Sequence, residues 1–267
     1  MVLNFLEKLA QKIRRFSSTR GYACDYCGVE NFNYPKQRLC DACRRTLVYN
    51  DGFRCQKCGR KAVDNGVCLD CKAHMPAFQR GFSPLVYKGG SSALMNGLKN
   101  GKRHLAYVLG EVAATAFAEG YAQERESGKA SEILQEYDME QEEILIVPVP
   151  MTKEREKERG YNQAAELALV VEERLTELGF HAKADFELLI KRKDTVQQKH
   201  LGFRARAENV RGAYHVHKRT ACREKTVLLI DDIMTTGATG DACAKALYGA
   251  GAKSVYFLVA ASLEERK

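Results

Sequence analysis

The sequence predicts an α/β fold, a doubly wound parallel sheet with a small cysteine-rich module on its N-terminal side. Two apolar runs, Ile144–Val149 and Val227–Ile230, are too short for helices and read as strands buried on both faces. Amphipathic segments lie between and around them, and strands that alternate with helices build parallel sheets covered by those helices. Ahead of the sheet stand four CxxC pairs, Cys24/Cys27, Cys40/Cys43, Cys55/Cys58 and Cys68/Cys71. At 267 residues the chain has room for one α/β domain and such a module. The expected divisions are residues 1–20, 21–78 and 79–267.

The chain opens on MVLNFLEKLAQKIRRF, in which Leu3, Leu6, Leu9, Ile13 and Phe16 share one helical face. Glu7 and Lys8 interrupt the apolar core a secretory signal needs, so none is expected. A basic amphipathic helix can lie on a membrane, but docking on its own protein or a partner is the commoner use. No apolar run approaches a membrane span, and a cytoplasmic location is expected.

Charge is unevenly spread. Residues 1–80 hold 15 Lys and Arg against 7 Asp and Glu, whereas residues 81–267 hold 27 of each. Eight thiolates on two zinc ions would remove four positive charges from that excess. The remainder permits nucleic-acid binding without demanding it.

A CxxC knuckle aims two thiolates at one point, and two knuckles complete a tetrahedral S₄ zinc site. Gly28 and Gly59, directly after two of the pairs, suit the tight turn of a knuckle. Disulfides are the alternative, but without a secretory signal regular CxxC pairs favour metal, and two structural Zn²⁺ ions are expected. The knuckles can pair in sequence order, Cys24/Cys27 with Cys40/Cys43 and Cys55/Cys58 with Cys68/Cys71, or they can interleave. Spacing alone does not choose. Cys222 and Cys243 stand outside the pattern and read as ordinary buried or loop residues. A segment this small, with few large apolar side chains, buries little core, and zinc can replace one. Tyr22, Tyr26, Phe32, Tyr34, Tyr49 and Phe53 lie among Arg38, Arg44, Arg45, Arg54, Arg60 and Lys61. That mixture suits stacking on bases and gripping phosphates, and equally the small core and solvated rim of a structural ribbon.

The composition changes near Arg80. Phe82–Tyr87 reads as extended, Ser91–Asn100 as a short helix carrying Lys99, and His104–Glu124 as a long helix. Residues 119–143, with nine acids and two bases, read as a solvated helix end and loop. After Ile144–Val149 come Met151–Gln163 (MTKEREKERGYNQ) and an amphipathic helix through Leu178. Phe186–Ile190 is expected as a third strand of the sheet, and Ser254–Ala260 closes it. Between them, residues 191–225 form a basic tract of eleven Lys and Arg with three acids.

Everything is organised around Thr226–Gly240, TVLLIDDIMTTGATG. The strand Val227–Ile230 brings Asp231 and Asp232 to its carboxyl end, where open α/β sheets place their ligands. Thr235, Thr236, Gly237, Ala238 and Thr239 follow as a loop of small residues running into an Ala-rich helix. Such a loop offers N–H groups and hydroxyls to an anion, and the helix N-terminus adds positive potential. Two carboxylates beside an anion cradle need a ligand that also donates hydrogen bonds, and ribose hydroxyls do so.

This stretch resembles the phosphoribosyl-pyrophosphate (PRPP) signature of type I phosphoribosyltransferases. Pro148-Val149-Pro150 with Arg159-Gly160-Tyr161-Asn162-Gln163-Ala164 resembles the PVP…RGFNQA pattern of the ComF competence proteins. Gln198, Leu201, Arg206 and Asn209 keep that family's spacing, Gly212-Ala213-Tyr214 stands where GAF is usual, and Leu98-Lys99 with Gly101 is similar to its LKYxG element. With the cysteine module, the resemblance covers nearly all of the chain after residue 20. Tyr161 and Tyr214 replace Phe, and Lys157, Lys191 and Lys193 stand where arginine is frequent, which keeps charge but weakens bidentate phosphate contacts.

The resemblance implies a type I phosphoribosyltransferase-like fold behind a double zinc ribbon. It implies that Asp231 and Asp232 hold the ribose hydroxyls of PRPP or a nucleotide, while residues 235–239 cradle the 5′-phosphate. Met151–Arg159 would be a pyrophosphate loop with Arg155 and Arg159 as contacts, and Lys99 and Arg206 would join them. The tract 191–211 would be a flap whose closure excludes water, and Mg²⁺ would be held mostly by ligand oxygens. Most directly, the resemblance implies a protein that handles incoming single-stranded DNA in natural competence, with a competence-machinery partner at the membrane. Two other functions fit the same residues. One is an active transferase, a glycosyltransferase passing phosphoribosyl to an acceptor, for which no general base is evident. The other is a PRPP-responsive regulator without turnover.

Overall fold

A wholly parallel six-stranded sheet forms the centre of the computed structural model, which describes residues 22–128, 142–191, 212–217 and 219–265. The expected N-terminal helix, the acidic segment 129–141 and residues 192–211 of the expected flap lie outside these residues, as do Lys193, Gln198, Leu201, Arg206 and Asn209. In chain order the elements are α1 (Asp41–Arg45), α2 (Leu69–Ala73), β1 (Arg80–Phe82), β2 (Leu85–Val86), α3 (Gly89–Lys99), α4 (Leu105–Gly128), β3 (Ile144–Pro148), α5 (Lys153–Arg159), α6 (Gln163–Glu177), β4 (Ala182–Ala184), β5 (Leu189–Lys191), β6 (Tyr214–Val216), β7 (Thr226–Met234), α7 (Ala238–Gly249) and β8 (Ser254–Ser262).

The sheet order is β1-β8-β7-β3-β4, with β2 also on β8. Successive strand residues face opposite sides. Leu228 and Ile230 enter a core with Leu98, Leu109, Phe117, Leu167 and Val171 of α3, α4 and α6. Val227 and Leu229 enter another with Cys243, Ala244 and Leu247 of α7 and with Leu189 and Tyr214. Burial on both faces is why β3 and β7 read as unbroken apolar runs.

Three expectations are corrected. The apolar run at Phe186–Ile190 does not join the main sheet: β5 begins at Leu189 and pairs antiparallel with β6. The edge strand of the sheet is instead β4, Ala-Lys-Ala, which pairs on one side only and buries just Ala184. A half-covered three-residue edge needs no apolar run, so it left no periodic signal. Second, Met151–Arg159 is not all loop. Thr152 accepts the Arg155 N–H at 3.5 Å and caps the seven-residue α5. Third, the organising strand continues through its acids to Met234, because β8 keeps pairing with it as far as Ser262.

The cysteine module consists of two copies of one arrangement. In each, the residue before the first cysteine bridges antiparallel to the third residue after the second, Ala23 to Glu30 and Arg54 to Lys61. Gly28 and Gly59 turn the knuckles with φ of 75° and 72°, a conformation that costs glycine little. The following CxxC pairs open α1 and α2. The copies flank the sheet: Cys24, Leu39 and Leu47 pack into the α3–α4 core, while Cys55, Cys58, Cys68 and Cys71 join the α7 core. Phe78, fully buried, anchors the second copy with its ring 5.2 Å from that of Phe257 on β8.

Candidate functional site

The chain leaves β3 through α6 to β4 on one side, and leaves β7 through α7 to β8 on the other. The strand order therefore reverses between β3 and β7, the place where open α/β sheets form a ligand crevice. β3 is paired with β7 only as far as Pro148 opposite Ile230, so Asp231 and Asp232 lie one and two residues past the end of that pairing. The crevice has a volume of about 660 Å³. Of the sequence-predicted residues, Lys99, Arg155, Arg159, Asp231, Asp232, Thr235, Thr236, Gly237, Ala238 and Thr239 all line it. Arg206 lies outside the described residues.

The acids are tied to their own backbone. Asp231 Oδ1 accepts the Asp232 N–H at 2.8 Å, and Asp232 Oδ1 accepts the Ile233 N–H at 2.7 Å. Lys99 reaches Asp232 Oδ2 at 3.2 Å. Burial, and then the neighbouring Asp232 charge, push the Asp231 carboxyl up to about 8, against the pull of the Asp232 N–H, Lys99 and Lys191. An acid so placed gains much from a ligand that donates hydrogen bonds to its ionised form.

Glycine shapes the loop that follows. Gly237 sits at φ 80° as the N-cap of α7 and supplies no side-chain cap; Thr236 Oγ1 accepts the Ala238 N–H at 3.4 Å, and the loop and the first turn of α7 line the crevice. A Cβ on Gly240 would stand 2.6 Å from the Phe257 ring, so only glycine lets α7 lie this close to β8. One turn later Asp241 accepts hydrogen bonds from Ala77 N–H (2.7 Å) and Lys245 Nζ (2.7 Å), and lies 3.1 Å from His74 Nε2. The start of α7 is thereby fixed to the cysteine module.

The PVP and RGYNQA segments are joined by Asn162. Its amide donates to the Val149 carbonyl at 3.0 Å and its Oδ1 caps α6 by accepting the Ala164 N–H at 3.0 Å. Arg159 is held by Gln163 Oε1 at 3.2 Å. The buried Tyr161 hydroxyl donates to the Leu98 carbonyl and accepts the Gly101 N–H at 3.1 Å, and so sets the end of α3 that carries Lys99. A phenylalanine at this position would make neither hydrogen bond. Tyr161→Phe is expected to lower stability by about 1–3 kcal/mol, because two buried backbone groups lose a partner. Urea unfolding measures it, and an unchanged midpoint and slope would refute the role given to the hydroxyl.

Lys191 and Tyr214 pair directly across the β5–β6 hairpin and also line the crevice. They were readable only as places in the resembled pattern, because both lie within the basic tract 191–225. The aromatic and basic residues of the module divide. Arg38 is internal, salt-bridged to Asp25 at 3.2 Å and lying 3.6 Å over the Tyr107 ring, and Arg60 is buried. Tyr22, Phe32, Tyr49, Phe53, Arg44 and Arg45 are exposed.

The eight cysteines gather in sequence order into two clusters, Cys24/Cys27/Cys40/Cys43 and Cys55/Cys58/Cys68/Cys71, each with its sulfurs within 4.8 Å of one another. The interleaved alternative is thereby excluded. Cys27–Cys40 and Cys58–Cys68 Sγ atoms are 3.8 Å apart. Tetrahedral zinc with bonds of about 2.3 Å spaces its sulfurs about 3.8 Å apart, whereas a disulfide needs about 2.05 Å. Both donor sets fit a structural zinc. The second cluster is wholly buried, and Cys55 Sγ accepts N–H groups of Cys58 (3.5 Å) and Cys68 (3.3 Å).

Fold and site together define a doubly wound α/β protein with a crevice at its switch point, lined by both carboxylates and cations, and a double four-cysteine module. The chain is similar to competence protein ComFC of Bacillus subtilis (strain 168), with 27% identity over 219 residues, 81% of this chain and 80% of that protein. No family model matches the chain. Among the described residues no helix is long and apolar enough to cross a membrane.

Proposed function

We propose that the crevice binds the ribose 5-phosphate portion of PRPP or a nucleotide, and that the protein uses it in competence, handling single-stranded DNA in the cytoplasm. The observation that carries the ligand is that Asp231 and Asp232 share one crevice with the loop 235–239 and the N-terminus of α7. The acids suit ribose hydroxyls, the loop suits a phosphate, and Arg155 and Arg159 suit a pyrophosphate. Mg²⁺ would enter on the pyrophosphate oxygens. DNA handling is supported by the relative's name and by the exposed Phe32, Phe53, Arg44 and Arg45 of the module, a mixture that stacks bases and neutralises phosphates.

Calorimetry with Mg²⁺-PRPP, ribose 5-phosphate and inorganic phosphate tests the crevice. Binding is expected to weaken in that order, and no PRPP binding would refute the reading. Pyrophosphate release in the same mixtures would add turnover to binding. For DNA, affinity for an oligothymidylate is expected to fall by about 0.7 log units per phosphate contact for each tenfold rise in salt. Arg44→Ala with Arg45→Ala should flatten that slope by one or two contacts. An unchanged slope would remove the module from the DNA interface.

A further inference from the structure

The two copies of the cysteine module differ at one telling place. In each, the backbone carbonyl two residues after the second cysteine accepts the N–H of the first, Val29 to Cys24 at 2.7 Å and Arg60 to Cys55 at 2.9 Å. Val29 is exposed, as such a turn residue is expected to be, whereas Arg60 is 1% exposed. A buried arginine is costly unless every donor is used. Arg60 spends its donors on three different structures. Nε donates to Cys58 Sγ at 3.3 Å, one terminal nitrogen donates to Asp70 Oδ2 at 2.6 Å, and the other donates to the Thr235 carbonyl at 3.0 Å. Thr235 is the first residue of the loop that faces the crevice. Cys58 and Cys71 also border a small cavity that Thr236, Gly237 and Ala238 help to line.

We infer that Arg60 is a positioning residue that holds the loop 235–239 in place from the second cysteine cluster, so that loss of metal or oxidation of thiols at that cluster slackens the loop. The first cluster has no such link among the described residues, since the equivalent position is Val29. A guanidinium suits the task because its planar fork reaches a sulfur, a carboxylate and a carbonyl at once, which an ammonium cannot do. The consequence for ligand binding rests on the reading of the crevice given above; the mechanical link does not.

Hydrogen exchange of the full-length, zinc-loaded protein without ligand tests the link, read at peptides covering residues 233–241 and, as reference, 254–262. Arg60→Lys is expected to retain two zinc ions and to speed exchange in the loop peptide about fivefold, leaving the β8 peptide unchanged. Chelation of zinc should speed the loop peptide in the wild type and add little in Arg60→Lys. Cys27→Ser, in the first cluster, should leave it unchanged. An Arg60→Lys loop that exchanges at the wild-type rate would overturn the inference, and so would equal acceleration by Cys27→Ser. Should Arg60→Lys lose zinc, Asp70→Asn decides, since it keeps all four cysteines and removes the carboxylate charge that anchors the guanidinium within reach of the Thr235 carbonyl. Faster loop exchange in Asp70→Asn upholds the link and an unchanged rate removes it. Calorimetry with Mg²⁺-PRPP should then show weaker binding by Arg60→Lys than by wild type. If the wild type does not bind PRPP, the ligand reading fails while the exchange result stands.

Discussion

Cys71→Ser is expected to cost the protein about 3–5 kcal/mol and one of its two zinc ions, a larger effect than Cys27→Ser in the other cluster. Both clusters have donor geometry that fits zinc, but their surroundings differ. The second is buried throughout and shares a core with Phe78, Leu247 and Phe257, whereas Cys27 is exposed. Serine is a poor ligand for a soft-tolerant ion, and zinc binding in such small modules is itself folding energy. Without the dication the second cluster cannot hold four thiolates. Hydrogen bonds among the neighbouring thiols push the Cys55 thiol down and those of Cys58 and Cys71 up. For a chain of this length, about 2–4 °C of melting temperature accompanies each kcal/mol, so a fall of about 10 °C is expected. Scanning calorimetry with metal analysis reads both quantities. A Cys71→Ser protein with the wild-type midpoint and two zinc ions would show that the second cluster is not a metal site that braces the fold.

The parts of this fold that were legible in the sequence are those whose burial is one-sidedly simple. β3 and β7 are covered on both faces and carry continuous apolar side chains, so length alone marks them as strands. β4 is short, lies on an edge and reads Ala-Lys-Ala, and its place in the sheet follows from a ladder to β3 that no side-chain pattern announces. The reverse error arose at Phe186–Ile190, where Leu188 and Leu189 are apolar because they pack with Cys243, Ala244 and Leu247 of α7 and not because they enter the central sheet. At the crevice, Asp231, Asp232 and residues 235–239 were legible because they are consecutive, and the chemistry of the run is unusual. Lys99, Arg155 and Arg159 came from a family pattern, and their convergence depends on Asn162 and Tyr161, whose hydrogen bonds reach 13 and 63 residues back along the chain. Arg60 was grouped with the module's other cations for the same reason. Its partner Thr235 is 175 residues away, and nothing in the local run Cys58-Gly59-Arg60 distinguishes it from Cys27-Gly28-Val29 except the charge.

Replacing both Asp231 and Asp232 with asparagine is expected to weaken Mg²⁺-PRPP binding by tenfold to about a hundredfold while the protein stays folded. Each charge-assisted hydrogen bond contributes about 1.5–3 kcal/mol, and each 1.4 kcal/mol is tenfold in affinity. The single change Asp231→Asn should meanwhile make the ligand-free protein more stable, which separates a binding defect from unfolding. The sign follows from the raised pKa. Burial and the Asp232 charge lift the Asp231 carboxyl from 3.8 to about 8 in the fold, so between those values the native state holds a proton that the unfolded chain releases. The contribution of Asp231 to stability is therefore fully present below about pH 4 and is lost as pH rises through about 8. Asparagine carries no such charge, and at pH 8 its variant should unfold at higher urea than the wild type. Ligand binding has the opposite preference, because ribose hydroxyls donate best to the carboxylate. PRPP affinity of the wild type should accordingly rise between pH 6 and pH 8, with proton release measurable by calorimetry in buffers of different ionisation enthalpy. In Asp231→Asn that proton release should disappear. Equal affinity for wild type and double variant, with the same proton release in both, would show that the acidic pair does not meet the ligand.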